Sequence, residues 1–221
     1  MVTLYTRSRG RLAFLTPLGT GKASNARRAR LQPLTLIQTE MHYKPTSELQ
    51  GLGTFSVPEV WSDIYFHPLK RTMALFVSEF LYRLLNATMA DEKLFDFLKE
   101  AIRYLDRQQK GVADYHIPLL VSLLSYSGIQ PDVSGYEAGR LFDFHSGSFL
   151  APGQTGFATL SIEESRYVTL VSRINFTNIK RLRLTNAGRR QILYGLLNYY
   201  SYHFPGLGNL KSPEILREVF G

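Results

Sequence analysis

The hydrophobic period changes once along this chain of 221 residues, and that change limits the folds open to it. Short β-branched and aromatic runs occur at residues 2–6, 11–16 and 34–43, separated by Gly and Pro turn signals. From residue 68 the apolar positions recur at helical spacing instead. Strands repeat every two residues and helices every 3.6, so the sequence predicts an α+β chain. We expect a small β-barrel or sandwich over residues 1–63 and a helical domain over 64–221.

The helical part carries its own start signals. Pro68 fits a first turn, and the apolar face that follows predicts a helix to about residue 86. Residues 117–126 are apolar on nearly all sides, which predicts burial at the centre of a bundle. The segment 131–160 is rich in Gly and Pro and predicts an irregular insert with brief extended pieces. Further helix starts are predicted by capping residues at Asp91, Ser161 with Glu164, Thr185 and Ser212.

Charge is segregated along the chain. Residues 1–39 and 165–213 carry seven and eight basic side chains and no acidic ones, whereas residues 40–164 carry ten basic and sixteen acidic ones. The formal net charge is +8. Two acid-free basic windows around an acidic middle favour a polyanionic partner, nucleic acid first.

Composition excludes several classes of protein. The chain has no cysteine, which excludes disulfides, a cysteine zinc site and a thiol nucleophile. We find no run of about 18 apolar residues and no export signal, since arginines occupy the N-terminal stretch where a signal peptide is apolar. We expect a cytoplasmic protein.

No catalytic or metal-binding set emerges. Residues 18–23 (LGTGKA) resemble a phosphate loop, but Thr16 stands where the loop needs its first Gly and Ala23 where it needs Ser or Thr. That segment is predicted to be a flexible basic loop over 18–30. Asp143 and His145 would share a strand face but lack a nucleophile, and His116 fits a structural role. We expect no metal, no cofactor and no enzymatic activity.

The first basic window suits single-stranded nucleic acid, because cations follow phosphates while exposed rings stack on bases. The alternative for Tyr5 and Phe14 is a place in the core. The arginines around Gly10 are predicted to project from a hairpin tip. The predicted contacts to nucleic acid are Arg7, Arg9, Arg11, Lys22, Arg27, Arg28, Arg30, Tyr43 and Lys44.

The second basic window is open to two interpretations. Cations near a helix N-terminus are electrostatically disfavoured. They indicate either an external anion or salt bridges to the acidic middle of the chain. The residues of this window are expected to form either a second basic surface or a site that binds the tail of a partner protein: Arg173, Lys180, Arg181, Arg183, Arg189 and Arg190.

The order of short segments resembles the RecO family of bacterial recombination mediators over nearly the whole chain. The segments in the β part are VTLYT at 2–6, GR at 10–11, RLQPL at 30–34, YKP at 43–45 and EL at 48–49. Those in the helical part are DIY at 63–65, ALF at 74–76, EFLY at 79–82, LFDFL at 94–98, YH at 115–116, LL at 119–120, LKS at 210–212 and ILREVF at 215–220.

The resemblance implies an oligonucleotide-binding (OB) fold followed by an all-helical domain. It also implies a non-enzymatic repair protein of the RecF pathway that binds single- and double-stranded DNA and anneals complementary strands. Its implied partners are RecR and the C-terminal tail of single-strand DNA-binding protein, with which it helps to load the RecA recombinase. The implied location is the bacterial cytoplasm, at the nucleoid.

The sequence departs from the family pattern in two ways. The four-cysteine zinc module of many members has no counterpart around residues 131–160. Residues 2–6 align with the second strand of the family pattern, so we expect the first barrel strand to be missing and the barrel to have an open edge. Two alternatives remain open: an RNA-binding or ribosome-associated OB-fold protein, and an enzyme acting on anionic substrates.

Overall fold

The computed structural model describes residues 1–16, 21–85 and 90–220, and these form two compact units. The first unit spans Met1–Lys110 and the second Gly111–Gly221. The predicted boundary at residue 63 therefore falls inside the first compact unit, which holds two long helices as well as the strands. In the described parts of the chain, no helix is both long enough and apolar enough to cross a membrane.

The first unit contains five short strands and three helices. Its strands are β1 (Val2–Thr6), β2 (Gly10–Leu15), β3 (Gln38–Thr39), β4 (Leu49–Gly51) and β5 (Phe55–Ser56). Its helices are α1 (Lys22–Ala29), α2 (Pro68–Leu84) and α3 (Glu92–Arg107). The end of α2 that the sequence predicts near residue 86 lies outside the described residues.

The strands form two separate sheets rather than the predicted barrel. β1 pairs antiparallel with β2, which pairs in parallel with β4, while β3 pairs antiparallel with β5. In the described residues β1 therefore has one unpaired edge, and no closed barrel is formed. The coarser prediction of a mixed α and β chain is confirmed.

The strand predicted over residues 34–43 shrinks to two residues, because side chains hold its first part in another conformation. Leu34 has a left-handed φ of 63°, and its carbonyl oxygen accepts a bond from Trp61 Nε1 at 3.0 Å. The Tyr65 hydroxyl donates to the Pro33 carbonyl at 3.1 Å and lies 2.6 Å from Thr35 Oγ1. Backbone groups bound by side chains in this way do not join a ladder.

One buried carboxylate ties the segment before α2 to the end of α3. Asp106 accepts bonds of 2.9–3.0 Å from the amides of Ser62, Asp63 and Ile64 and from the Ser62 hydroxyl. Burial by itself would raise the pKa of Asp106, but these donors outweigh it and the pKa lies below its usual value. Buried Lys70 of α2 pairs with Asp63 and donates to the Asp106 carbonyl oxygen at 2.6 Å.

The second unit packs helices around α4 (His116–Tyr126). Eight of its residues are buried, as its all-round apolar sequence predicts. The Tyr200 hydroxyl donates to the Leu120 carbonyl at 2.7 Å, which joins α4 to α6. The other elements are β6 (Phe142–Asp143), β7 (Ser148–Phe149), α5 (Ile162–Val171), α6 (Asn186–His203) and α7 (Ser212–Phe220), with 3-10 turns at Val112–Asp114, Ile179–Leu182 and Pro205–Asn209.

Three of the four predicted caps form their bonds at the helix starts, and Ser212 is the first residue of α7. Asp91 Oδ1 accepts from the Leu94 amide at 3.0 Å, and Thr185 Oγ1 accepts from the Gly188 amide at 3.1 Å. Ser161 and Glu164 form the predicted capping box. β6 and β7 pair as a small antiparallel hairpin inside the Gly/Pro-rich insert, where brief extended pieces are predicted, so the domain predicted over residues 64–221 is not helical throughout.

We expect Asp106→Asn to lower the free energy of unfolding at pH 7 by about 2–3 kcal/mol, because charge-assisted bonds to buried amides are lost. A carboxyl with a depressed folded pKa stabilises the fold above its unfolded pKa of about 3.9 and stops doing so as the pH falls through the folded value. Urea denaturation from pH 7 to pH 2 should therefore show a shallower acid loss in the variant.

Glu163→Gln is the control, because this exposed carboxylate forms no ion pair within the part of the chain that is described. Equal stability of the Asp106→Asn variant and the wild type at pH 7 would contradict the central role of Asp106.

Candidate nucleic-acid interface

The β1–β2 hairpin places three of the predicted arginines around one turn. Thr6 pairs with Gly10 across the hairpin, and Tyr5 pairs with Arg11. Gly10 has a φ of 66°, which favours glycine, and Thr6 Oγ1 accepts from the Arg9 amide at 3.1 Å. Arg7 and Arg9 consequently lie at the exposed tip, as the sequence predicts.

Arg7 is neutralised inside the first unit. Its guanidinium bonds to the Asp96 carboxylate, and its Nε lies 3.5 Å from Glu92 Oε2. Both acids belong to the first turns of α3. The sequence alone gave no sign of this pairing, since the partners lie more than 80 residues away. Arg7 is thus a weaker candidate for phosphate contact than its neighbours.

Arg9 and Arg11 each cover a tyrosine ring. The Arg9 guanidinium lies 3.9 Å from the ring centroid of Tyr43, which brings two predicted site residues together. Arg11 lies 4.4 Å from the ring centroid of Tyr82 and donates to the Tyr82 carbonyl at 2.8 Å. Neither arginine has a carboxylate partner among the described residues. Cation–π contacts orient the guanidinium without cancelling its charge.

The two arginine–tyrosine pairs border a groove of about 810 Å³ next to the free edge of β1. The groove is lined mainly by apolar residues from β1, from residues 31–39 and from α2 and α3. Among the described residues that line it there is no Asp or Glu, whereas Arg7, Arg9, Arg11 and Lys99 all contribute. The groove therefore combines apolar walls with a cationic border.

Residues 22–29 form a helix, so the loop predicted over 18–30 is wrong for its described part. The Ala, Arg and Lys residues of α1 favour helix formation even without an apolar face. Residues 18–20 of that predicted loop, and of the segment that resembles a phosphate loop, lie outside the described residues. Arg27 and Arg28 stand in the last turn of α1, where cations are stabilised by the helix dipole.

The basic residues of α1 divide into anchored and free side chains. Arg27 donates to Thr16 Oγ1 at 2.8 Å and to the carbonyls of Leu52 and Gly53 at 2.7 and 2.6 Å. Arg30 lies 5.3 Å from the Phe55 ring and donates a long bond of 3.4 Å to the Phe55 carbonyl. The remaining two are exposed and have no side-chain bond within the described chain: Lys22 and Arg28.

A buried amide holds the turn that carries Lys44. Gln50 Oε1 accepts from the Lys44 amide at 3.0 Å, and Gln50 Nε2 donates to the carbonyls of Lys44 and Ser47 at 2.9 and 2.6 Å. The Lys44 side chain is exposed. Gln50 is a positioning residue that the sequence did not single out, and its place on a short strand gave no signal for the role.

The second basic window also divides into two groups. Arg189 pairs with Asp114 at 2.7 Å and donates to Asn186 Oδ1 at 2.8 Å, so internal salt bridging explains this residue. The others lie exposed and without an ion pair in the part of the chain that the structure describes: Arg173, Lys180, Arg181, Arg183 and Arg190. For these five the external anion remains the better explanation.

The titratable residues considered for catalysis have structural surroundings. Burial first, and then the charge of Arg189, lowers the pKa of His116 to about 3, so this histidine is neutral at pH 7. Burial opposes ionisation of Asp143, but bonds from the amides of Ser146 and Ala158 hold its pKa below the usual value. His145 instead contacts Tyr202. No group of three or more His, Asp or Glu in the described residues could hold a metal ion.

The fold and the site define a class of protein. It is a basic protein of two compact units: the first carries cations without carboxylate partners on small sheets, and the second is helical. The sequence model for the C-terminal part of recombination protein O matches residues 67–214. That match covers more than half of the chain. The chain belongs to the RecO family.

Similar proteins cover almost the whole sequence. The DNA repair protein RecO of Porphyromonas gingivalis W83 is 32% identical over 221 residues, which cover 98% of this chain and 90% of that protein. Those of Phocaeicola vulgatus and Flavobacterium psychrophilum are 29% and 30% identical, over all of this chain and 91% of each relative. The resemblance drawn from short segments of the sequence is thereby confirmed.

The contrast between two neighbours in α1 gives a stability test. Arg27→Ala removes three hydrogen bonds that join α1 to Thr16, Leu52 and Gly53, and should lower the free energy of unfolding by about 2 kcal/mol. Arg28→Ala should change it by less than about 0.5 kcal/mol, because exposed side chains without partners contribute little. Urea denaturation of both variants measures the difference, and similar losses in the two would contradict the assignment.

Proposed function

We propose that this chain is a DNA-binding repair protein that anneals complementary strands. The observation that carries the proposal is a set of cations with no carboxylate partner among the described residues: Arg9, Lys22, Arg28 and Lys44, which are exposed, and Arg11, which is half-buried. All of them except Lys44 lie in the first acid-free window. Family membership supports it, since the similar proteins are named DNA repair protein RecO.

Annealing needs no catalytic group, and we propose that the protein acts without chemistry. Two single strands repel each other through their phosphates, and a basic surface that binds both lowers this repulsion and releases condensed counterions. Arg9 lies exposed above the Tyr43 ring and has no side-chain hydrogen bond among the described residues, so its donors can bind phosphate. Such a surface would bind DNA largely without regard to base sequence.

We further propose that the two small sheets belong to an OB-type domain. The hairpin at β1–β2, the turn held by Gln50 and the cationic border of the groove support this assignment. Such domains bind single strands by charge and stacking. The working location would be the bacterial cytoplasm, at the nucleoid.

The cations of the second unit suit either an extended DNA path or an acidic partner. We propose that they receive the acidic C-terminal tail of single-strand DNA-binding protein, and that RecR joins the complex during RecA loading. An acidic tail with an aromatic end needs a cation beside an apolar pocket. The apolar cleft beside Arg190 measures only about 20 Å³ and would have to widen before an aromatic ring could enter.

The first test reverses two free cations. Lys22→Glu with Arg28→Glu should weaken binding to DNA of every sequence about equally, because phosphate contacts carry no sequence information. It should also flatten the plot of log affinity against log salt by about 0.7–0.9 for each lost contact. Fluorescence anisotropy across a salt series, with single- and double-stranded oligonucleotides, measures both effects.

The matched control is Lys93→Glu with Lys110→Glu, which changes the net charge equally in the acidic middle of the sequence and should have little effect. An equal loss in both double variants would mean that overall charge, not this surface, governs binding. Competition with RNA of the same sequence distinguishes the RNA-binding alternative.

The second test is strand annealing. The wild type should accelerate the pairing of complementary oligonucleotides by at least about tenfold, and the Lys22→Glu, Arg28→Glu variant should accelerate it much less. A fluorescence-quenching assay follows the rate, with bare strands and with strands coated by single-strand DNA-binding protein. Absence of acceleration on bare strands would falsify the annealing proposal, whereas failure on coated strands alone would count against the proposed tail contact.

A further inference from the structure

Three exposed rings lie together in the second unit, in a part of the fold that the proposed function does not use. Phe157 is 89% exposed and Tyr202 of α6 is 40% exposed, and His145 lies exposed between them. We call these three residues the aromatic cluster. Exposing a phenylalanine costs about 1.5–3 kcal/mol relative to burying it, so a ring as exposed as Phe157 calls for an explanation.

Contacts among the rings organise the cluster. The centroids of His145 and Phe157 are 5.5 Å apart with planes at 64°, and those of His145 and Tyr202 are 6.4 Å apart with planes at 85°. The Tyr202 hydroxyl lies 3.3 Å from His145 Nδ1. His145 is therefore fixed between the two other rings, while much of the surface of Phe157 and Tyr202 stays open.

A second layer of rings supports the cluster from below. The ring centroid of Phe144 lies 6.1 Å from that of Tyr202 and 5.1 Å from that of Tyr199, and the ring centroid of His203 lies 5.4 Å from that of Tyr202. Tyr199 is buried, and its hydroxyl donates to the Ile129 carbonyl at 3.0 Å. The exposed rings thus stand on a packed base, which reduces the entropy lost when a ligand is bound.

The carboxylate beside the cluster is engaged by backbone amides, and acids are absent from the following basic window. The acid closest in sequence, Asp143, is buried and its carboxylate accepts from the amides of Ser146 and Ala158. Residues 165–213 contain no acid at all. A polyanion that runs along α6 therefore meets no carboxylate of that helix.

The outward face of α6 leads from the cluster towards free cations. Its exposed residues recur at helical spacing as Gln191, Gly195, Asn198 and Tyr202, and Arg190 is exposed next to Gln191. A Cβ added at Gly195 would meet no atom within 4 Å, so the middle of this face is open. Twelve residues separate Arg190 from Tyr202, which is about 18 Å along a helix.

We propose that the aromatic cluster is a stacking platform for unpaired nucleobases of a single strand, whose phosphates run along α6 towards Arg190. The assignment rests on the proposed DNA-binding function and adds to it a site that reads the single-stranded state. Bases in a duplex keep their faces covered by their neighbours, so the cluster would contribute little to duplex binding. Stacking on an aromatic side chain contributes about 1–3 kcal/mol per base.

The test compares Phe157→Ala with Tyr202→Ala, singly and together, against the wild-type full chain. Anisotropy with a single-stranded oligonucleotide should show a dissociation constant raised about tenfold or more in the double variant, with an unchanged salt slope, because no phosphate contact is removed. Affinity for the matching duplex should change less than about twofold. An oligonucleotide containing 2-aminopurine should show fluorescence quenching on binding to wild type, and reduced quenching with the double variant.

Two control variants separate stacking from other effects. Tyr202→Phe keeps the ring and should bind like wild type. Phe66→Ala removes an 80% exposed ring from the first unit and should leave single-strand affinity unchanged. The Phe157→Ala single variant keeps the test decisive if the double variant is poorly folded, because Phe157 is nearly all in solvent.

The outcomes distinguish the two proposals. Wild-type binding to DNA with equal single-strand affinity in all aromatic variants would overturn the stacking platform alone. An equal loss on single strands and duplex would also overturn it, since that pattern describes a general contact. Absence of DNA binding by the wild type would overturn the proposed function and the platform with it.

Discussion

The first unit depends on the hydrogen bonds that the Asp106 carboxylate accepts. It stands at the end of α3 and binds three consecutive amides that lead into α2, while Lys70 of α2 binds the Asp106 carbonyl. A charged group taken out of water is stable only if its partners are complete, and here all of the donors come from one short segment. The network therefore fixes where the chain turns from strands to helices, and with it the position of the α3 acids that bind Arg7.

The helices were predictable because their signals are local. Asp91, Ser161 and Thr185 cap the helices that they were expected to cap, and the apolar segment at 117–126 is buried as α4. The strands were harder, since their length depends on partners far away in sequence. Hydrogen bonds from Trp61 and Tyr65 keep residues 33–35 from pairing as a strand, and no local pattern at 34–43 predicts these bonds. The sequence of α1 has no apolar period that would predict a helix. Arg27 attaches this helix instead, through hydrogen bonds to the carbonyls of the two residues after β4.

The residues of the candidate site were predictable from the sequence, but which of them are bound internally and which are free was not. All nine residues expected to contact nucleic acid lie on or near the two sheets, yet Arg7 and Arg27 are bound internally and Arg9 and Arg11 rest on tyrosines. Spacing cannot reveal this, because Asp96 and Leu52 are distant in sequence from the arginines that they bind. The aromatic cluster was missed for a similar reason: His145, Phe157 and Tyr202 come from three separate segments and meet only in the folded chain.

Charge segregation gains a physical meaning from these contacts. A basic side chain in an acid-free window can be neutralised only by a distant carboxylate or by an external anion. Asp96 and Glu92 neutralise Arg7, and Asp114 neutralises Arg189, so the acidic middle of the sequence supplies partners to one cation in each window. Most of the cations left over are exposed, in each of the two compact units. Within either unit, one polyanion can bind several cations that no single carboxylate could pair, and this supports the proposed nucleic acid strand over a small anionic substrate.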